Sequence, residues 1–317
     1  MNRQAAFENA GKMLKGALHC HTTRSDGHGT PEEVIAKHHA HGYDFMALTD
    51  HRYYNYNHYG DLPMTIIPGM EMDGTFTDEA KGSVHCHHTV CIGPEKGMGN
   101  GFEQDERPAK YWPEKPEDTQ PILDEIHAKG NMTIYCHPEW SGTPADDFKM
   151  LRGNFAMEIW NSGCVLEDGI DNDAKYWDEL LTEGQKIFGV ATDDGHSMDQ
   201  HCVGWVRVNS GNSVPEILEA LKEGKFYSSC GPEIYDFYVE SGKIYLKCSP
   251  VVSIQMRHLR RPFRIARPAE GEETLTEAEF KLNRCTGAPY VRAVVTDAQG
   301  RKAWTNPIFL NEEDFVD

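Results

Sequence analysis

One pattern constrains this chain more than any other. A short apolar run ends in histidine, aspartate or another polar residue, an amphipathic helix follows, and the unit repeats over the first two-thirds of the length. Residues 16–21 read as a strand, with a turn-rich stretch over 22–29 behind it. Thr30, Pro31 and Glu33 then start a helix, with Thr30 as N-cap, Pro31 in the first turn and Glu33 completing a capping box. Val34, Ile35 and His38 form its inner stripe, and Gly42 stands where a glycine closes a helix. Residues 43–48 are the next strand and run into Thr49-Asp50-His51. Further strands are expected over 64–67, 83–92, 132–136, 157–160, 187–191 and 205–208, and helices over 119–129, 174–182 and 213–221. Strands alternating with helices imply parallel pairing, and this many units favour a closed α/β barrel over an open sheet.

After residue 229 the pattern changes. Segments 234–239, 243–248, 251–257 and 290–297 are β-like and separated by turns, with one possible helix over 273–280. A length of 317 residues agrees with two units: residues 1–229 as the barrel and 230–317 as a small β-rich, sandwich-like domain. Residues 94–118 form an irregular charged stretch, long enough for a lid or a disordered loop.

Charge and cysteine content narrow the function. A net charge of −19 argues against a groove for long nucleic acid, where affinity rests on Lys and Arg, but leaves room for a small phosphorylated substrate if bound cations invert the local potential. Nine cysteines with no CxxC pair suggest reduced thiols rather than a disulfide framework. No apolar run approaches a membrane span, and the first dozen residues lack a signal-peptide core, so a cytoplasmic protein without membrane partners is expected. The 16 histidines stand out, most of them before Val90. Histidine at this density asks for metal ligation.

In His19-Cys20-His21 strand alternation puts the two imidazoles on one face and turns Cys20 away, which makes half a cation site and removes Cys20 as a nucleophile. Asp26, His51, Glu71, His137, Asp194 and His196 also fall at expected strand ends, where parallel barrels carry their active sites. So many donors in one mouth exceed the needs of one ion. A multinuclear site is implied, with a carboxylate such as Glu71 bridging cations about 3.5–4 Å apart. Asp50 reads as a group that orients ligands, and with Asp194 and His196 it completes the expected catalytic set.

The strings LHCHTTRSDG, ALTDH, PGMEM, CHPEW and TDDGH resemble the motifs of the PHP (polymerase and histidinol phosphatase) family of metal-dependent hydrolases, over residues 15–228. The resemblance implies a distorted (β/α)7, TIM-like barrel holding two to three divalent ions, manganese, iron or zinc. It implies that His19, His21, Glu71 and Asp194 hold one ion, that Glu71, His88 and His137 hold a second, and that Asp26, His51 and His196 hold a third. In Val84-His85-Cys86-His87-His88 the family's spacing to Gly93 favours His88, with His87 as the substitute. Asp193 stands where the family often has serine, which leaves its role open. Residues 290–307 resemble a β-domain appended to a subgroup that includes carbamate and ester hydrolases.

The chemistry then expected is hydrolysis by a metal-activated hydroxide, and the leading reading is a phosphoesterase acting on a small monoester or short nucleotide. The alternative is a carboxyl-ester, carbamate or amide hydrolase on the same site, and the third reading is a non-catalytic ligand-binding barrel. No GxSxG elbow or P-loop is present. Candidate substrate contacts are Arg24, Arg52 and the lysines between 96 and 115, the aromatic run Tyr53, Tyr54, Tyr56, His58 and Tyr59, and Trp140 and Asn161; His201 is a candidate proton donor or else an exposed loop residue.

Overall fold

The computed structural model describes residues 3–7, 13–55, 59, 61, 63–78, 83–94, 101–171, 173–285 and 287–315. The chain is mixed α/β. Its first described strands are β1 (Gln4–Phe7), β2 (Leu14–Ala17), β3 (Phe45–Ala47), β4 (Thr65–Ile67), β5 (Gly69–Asp78) and β6 (Ser83–Ile92). They are followed by β7 (Met132–Tyr135), β8 (Asn154–Asn161), β9 (Phe188–Thr192), β10 (Trp205–Val208) and β11 (Phe226–Ser229). The helices are α1 (Pro31–Ala40), α2 (Gln120–Ala128), the short α3 (Ala145–Phe148) and α4 (Ser162–Asp168), α5 (Ala174–Thr182) and α6 (Val214–Lys222). The capping box that opens α1 forms in both directions, Glu33 N–H donating to Thr30 Oγ1 at 3.3 Å and Thr30 N–H to Glu33 Oε2 at 2.9 Å. Gly42 beyond it has φ +74°.

A single closed parallel ladder is not what these strands make. β10, β2, β3 and β4 belong to one sheet, and β5 to β9 form another in sequence order. Among the described strands β2–β3–β4 and β7–β8–β9 pair in parallel, whereas β5–β6, β6–β7, β2–β10 and β10–β11 are antiparallel. Pro68, which has no N–H to donate, stands where the first sheet ends and the second begins. At the sites' end of the strands single bridges span the seams, Cys20 with Gly195 and His51 with Glu71. Both sheets nevertheless bury one interior, with Leu18, Phe45, Ile67, Val90, Ile134, Ala156, Val190 and Val206 in one apolar cluster.

The remaining strands are β12 (Ile234–Glu240), β13 (Lys243–Val251), β14 (Ser253–His258), β15 (Arg261–Ala266), β16 (Leu275–Lys281), β17 (Tyr290–Thr296), β18 (Lys302–Thr305) and β19 (Ile308–Phe309). β1, β12, β13 and β16 form a four-stranded sheet, while β15, β14, β17 and β18 continue the first sheet through β11. A second apolar core fills the space between these layers, with Phe237, Leu246, Ile254, Val291 and Ala303. The helix expected over 273–280 is instead β16, paired antiparallel to β13 in the register Leu246 to Ala278. No described helix is long and apolar enough to cross a membrane.

Candidate metal centre

Glu71 is the hub. It lies near the start of β5, is 1% exposed, and its two oxygens face different groups of imidazoles. Oε2 has His51 Nδ1 at 3.1 Å, His21 Nε2 at 3.2 Å and His19 Nε2 at 3.4 Å. Oε1 has His88 Nδ1 at 3.0 Å and His137 Nε2 at 3.5 Å. Asp194 faces the same space, with Oδ1 at 3.1 Å from both His19 Nε2 and His21 Nε2 and Oδ2 at 3.7 Å from His137 Nε2. Nearer solvent, Asp26 lies 3.5 Å from His21, His51 and His196. All nine residues expected as ligands therefore converge.

The register of the β5–β6 hairpin decides between the two neighbouring histidines. Asp73 stands opposite His88 and Gly74 opposite His87, so His88 shares the face of Glu71 and His87 takes the other. There His87 Nδ1 meets the Tyr135 hydroxyl at 2.9 Å.

These groups fit a cation better than they fit one another. Glu71 Oε2 and His51 Nδ1 are buried and make no hydrogen bond although imidazole and carboxylate atoms crowd around them. Their spacing of 3.1–3.4 Å is that of donors around a shared ion, about 3.0–3.4 Å for bonds near 2.1 Å. His19 Nδ1 lies 2.7 Å from Glu158 Oε1, which fixes the proton on Nδ1 and leaves the Nε2 lone pair facing the centre. Burial alone would push His21 down, but the Asp194 and Glu71 carboxylates beside it outweigh burial and lift the imidazole to about 9. Burial would likewise raise Glu71, yet His51, His19 and His88 hold it well below the usual carboxylate range. Protons on His19, His21 and His88 thus balance buried negative charge that bound cations would balance instead, displacing those protons. His137 and Asp194 also hold strained backbone, at φ +24° and +48°, which costs about 1–3 kcal/mol each and marks positions fixed by their surroundings.

A supporting layer surrounds the ligands, and sequence reasoning found only part of it. Asp50 does not reach the centre: its oxygens accept from Thr22 N–H at 2.7 Å, Ser25 Oγ at 2.9 Å and Asn55 Nδ2 at 3.1 Å, so it holds the loop that carries Asp26. That geometry makes it a positioning residue rather than a catalytic one. Glu158 was missed. It is fully buried and accepts from His19, from Thr192 Oγ1 at 2.6 Å, from His137 N–H at 3.0 Å and from Asn161 Nδ2 at 2.9 Å. Its one signal is an acid inside the apolar run Met157 to Trp160. Asn161 spends its amide on Glu158 and on Asp194 Oδ2 at 3.0 Å, which corrects its expected role as a substrate contact.

The ligands floor a cavity of about 240 Å³ that Trp140, Cys164, Glu167 and Asp168 also line. Trp140 is 46% exposed with its ring 5.0 Å from that of His137. Several expected substrate contacts lie elsewhere. Arg24 pairs with Asp105, and Arg52 and Lys110 both pair with Asp73, at 2.8 and 2.9 Å. Tyr54 is in the core with Phe102, Tyr53 stacks under Arg107, and Tyr59 hydrogen-bonds Asn55. Tyr56, His58 and Lys96 lie outside the described residues. His201 is buried, which overturns its reading as an exposed residue, and it does not line the cavity.

A scan of protein-family models finds no match to the chain, and a search of curated proteins finds none. Solved structures resemble it distantly. A two-domain protein from Bacteroides vulgatus, described as containing a predicted PHP-like metal-dependent phosphoesterase, is 15% identical over 98% of this chain and 99% of its own, with a TM-score of 0.44. An amidohydrolase from Chromobacterium violaceum, solved with sulfate and no metal, is 15% identical over 58% of this chain and 88% of its own, with a TM-score of 0.39.

Proposed function

We propose that the chain is a metal-dependent hydrolase of the PHP type, acting on a small phosphate ester at the centre around Glu71. In this reading residues 1–229 form the barrel-like catalytic part and residues 230–317 the appended β-domain. The observation that carries it is the division of the two Glu71 oxygens between separate imidazole groups, with Asp194 facing both. That is the arrangement two or three neighbouring divalent cations need, and manganese, iron and zinc all suit imidazole and carboxylate donors. When bound, such cations supply Lewis-acid polarisation of a substrate oxygen and a water of lowered pKa.

The chain's own residues do the rest. His19, fixed by Glu158, and His137, fixed by Ser141 Oγ at 3.1 Å, keep their Nε2 atoms aimed inward. Three carboxylates among six imidazoles leave a centre loaded with three dications positively charged, which draws an anionic substrate into an otherwise acidic protein. Trp140 offers an apolar wall to the leaving group, and Glu167 and Asp168 at the rim repel longer polyanions.

One observation favours a second reading. No Lys or Arg is among the described residues lining the cavity. A neutral carboxyl ester, carbamate or amide would need none. Hydrolysis of p-nitrophenyl phosphate, its diester and p-nitrophenyl acetate by the manganese-loaded protein separates the two, with Asp194→Ala alongside. Phosphate release that needs metal and vanishes in the variant supports the phosphoesterase; activity on the acetate alone replaces it with the ester hydrolase.

A further inference from the structure

Behind the centre lies a second group of soft donors that the reaction does not use. Cys20 turns away from His19 and His21 towards α1 and the loop after β9. There the ligating atoms of Cys20, His38 and His201 lie within 4.8 Å of one another, all three residues 2% exposed or less. His38 Nδ1 lies 2.8 Å from the Val34 carbonyl, which only accepts, so the proton sits on Nδ1 and Nε2 presents its lone pair. That Nε2 is 3.9 Å from Cys20 Sγ and 3.5 Å from Asp193 Oδ2. Tetrahedral zinc, with Zn–S near 2.3 Å and Zn–N or Zn–O near 2.0–2.1 Å, sets its ligand atoms about 3.3–3.6 Å apart, close to these separations.

Two further facts point to a ligand rather than to ordinary packing. Neither nitrogen of His201 makes a hydrogen bond, although the ring is buried and stands edge-on to His38 at 5.3 Å. A buried imidazole with both nitrogens orphaned is costly unless something binds it. The neighbourhood is also shaped around that ring: a Cβ on Gly195 would meet His201 Nδ1 at 2.5 Å. Asp193, meanwhile, is held in place by Cys202 N–H at 2.7 Å, Val203 N–H at 2.9 Å and Gly204 N–H at 2.7 Å.

We propose that Cys20, His38 and His201 hold a structural zinc ion, with the Asp193 carboxylate beside His38, at a site separate from the centre around Glu71. The ion would tie α1 and the end of β2 to the end of β9 and the loop beyond it. Among the described residues the backbone links there are the Cys20–Gly195 bridge and nearby loop hydrogen bonds, and His19, His21, Asp194 and His196 are carried on the same two strand ends.

Cobalt tests this, because a thiolate bound to Co(II) gives a near-ultraviolet charge-transfer band that imidazole and carboxylate ligands do not. The full chain is expressed in cobalt-supplemented minimal medium and its absorption spectrum recorded. The expected result is a thiolate band in the wild type that is lost in Cys20→Ser and kept in Cys136→Ser and Cys86→Ser, the controls for thiols near ligand histidines of the other centre. In Asp194→Ala the band should persist while metal-dependent hydrolysis is lost, which keeps this proposal distinct from the proposed reaction. His201→Ala should lower bound metal by one equivalent. Cobalt-loaded wild type without the band overturns the proposal whatever the variants do, and so does a band that follows Cys136 or Cys86 rather than Cys20.

Discussion

Glu158 shows how much of a metal centre lies behind its ligands. With no solvent contact it accepts from His19, Thr192, Asn161 and the His137 backbone at once, so its charge sets the tautomer of one ligand and the position of another. Glu158→Gln preserves the shape and removes the charge, and the expected loss is about 10–100-fold in metal affinity. Competition against a chromogenic chelator measures it, and a change below twofold would mean that packing alone orients His19. Asp173, at the start of α5, behaves differently. Burial pushes its carboxyl up to about 7 even though it accepts the Glu139 N–H at 2.9 Å. The unfolded chain releases that proton near pH 3.9. Between those values the folded state binds more protons, so this contribution to stability is complete below about pH 4 and is lost as pH rises through 7. Asp173→Asn should therefore gain on the wild type in urea unfolding between pH 4 and 8; an equal offset at both ends would show an ionised carboxylate in the fold. The ligands themselves were legible because histidine and acid stood at strand ends. Glu158 was not, since a lone acid in an apolar run says nothing of what it accepts from. His88 was favoured over His87 by the resemblance's spacing to Gly93, whereas strand alternation alone could not choose and the hairpin register supplies the face.

Elements whose two faces differ sharply were readable in the sequence. α5 buries Trp177, Leu180 and Leu181 on one side, and it occupies the expected span. β16 has only one half-buried face, and its Leu275 and Ala278 stand three apart as they would on a helix, while Ala278 and Phe280 alternate as on a strand. Local spacing could not decide, and pairing with β13 did. The antiparallel β5–β6 hairpin was hidden for a related reason: helix after strand implies parallel neighbours, but no helix separates these two. The elements also grade the centre by depth. His19, His21, Glu71 and Asp194 sit at strand ends with little or no exposure, whereas Asp26 rides a loop with its side chain 54% exposed and His196 is 34% exposed. In the proposed multinuclear centre a chelator should therefore remove an ion at Asp26, His51 and His196 first. In Asp26→Ala the fast-released fraction should be missing while the slow fraction stays. Metal content followed against time in the chelator checks this, and a single rate for all ions would show that the centre empties as one unit.

At the scale of the molecule the question is what fastens the C-terminal strands to the part that carries the candidate metal centre. One sheet runs through both, from β4 by way of β11 to β15, and a buried charge cluster crosses between them. Asp178 on α5 accepts from Arg292 Nε and Nη2, each at 2.8 Å, from Arg257 Nε at 3.0 Å and from the Tyr290 hydroxyl at 3.0 Å. Arg292 is 1% exposed and also lies over the Trp177 ring at 4.5 Å. Neither end of this cluster was visible in the sequence, because its partners are more than 70 residues apart and each alone reads as a surface charge. Removing one partner of a buried ion pair strands the other without compensation, at a cost of about 3–5 kcal/mol. Asp178→Ala should lose that much in denaturant unfolding, and adding Arg292→Met should restore a large part of it, since the stranded guanidinium is then gone. Because the sheet is shared, the loss should appear as one earlier transition, with tryptophan fluorescence and circular dichroism moving together. Two separated transitions in the variant would mean that the C-terminal strands stand on their own and that Asp178 only docks them. A loss below about 1 kcal/mol would mean that the continuous sheet, not the charge cluster, holds the two parts together.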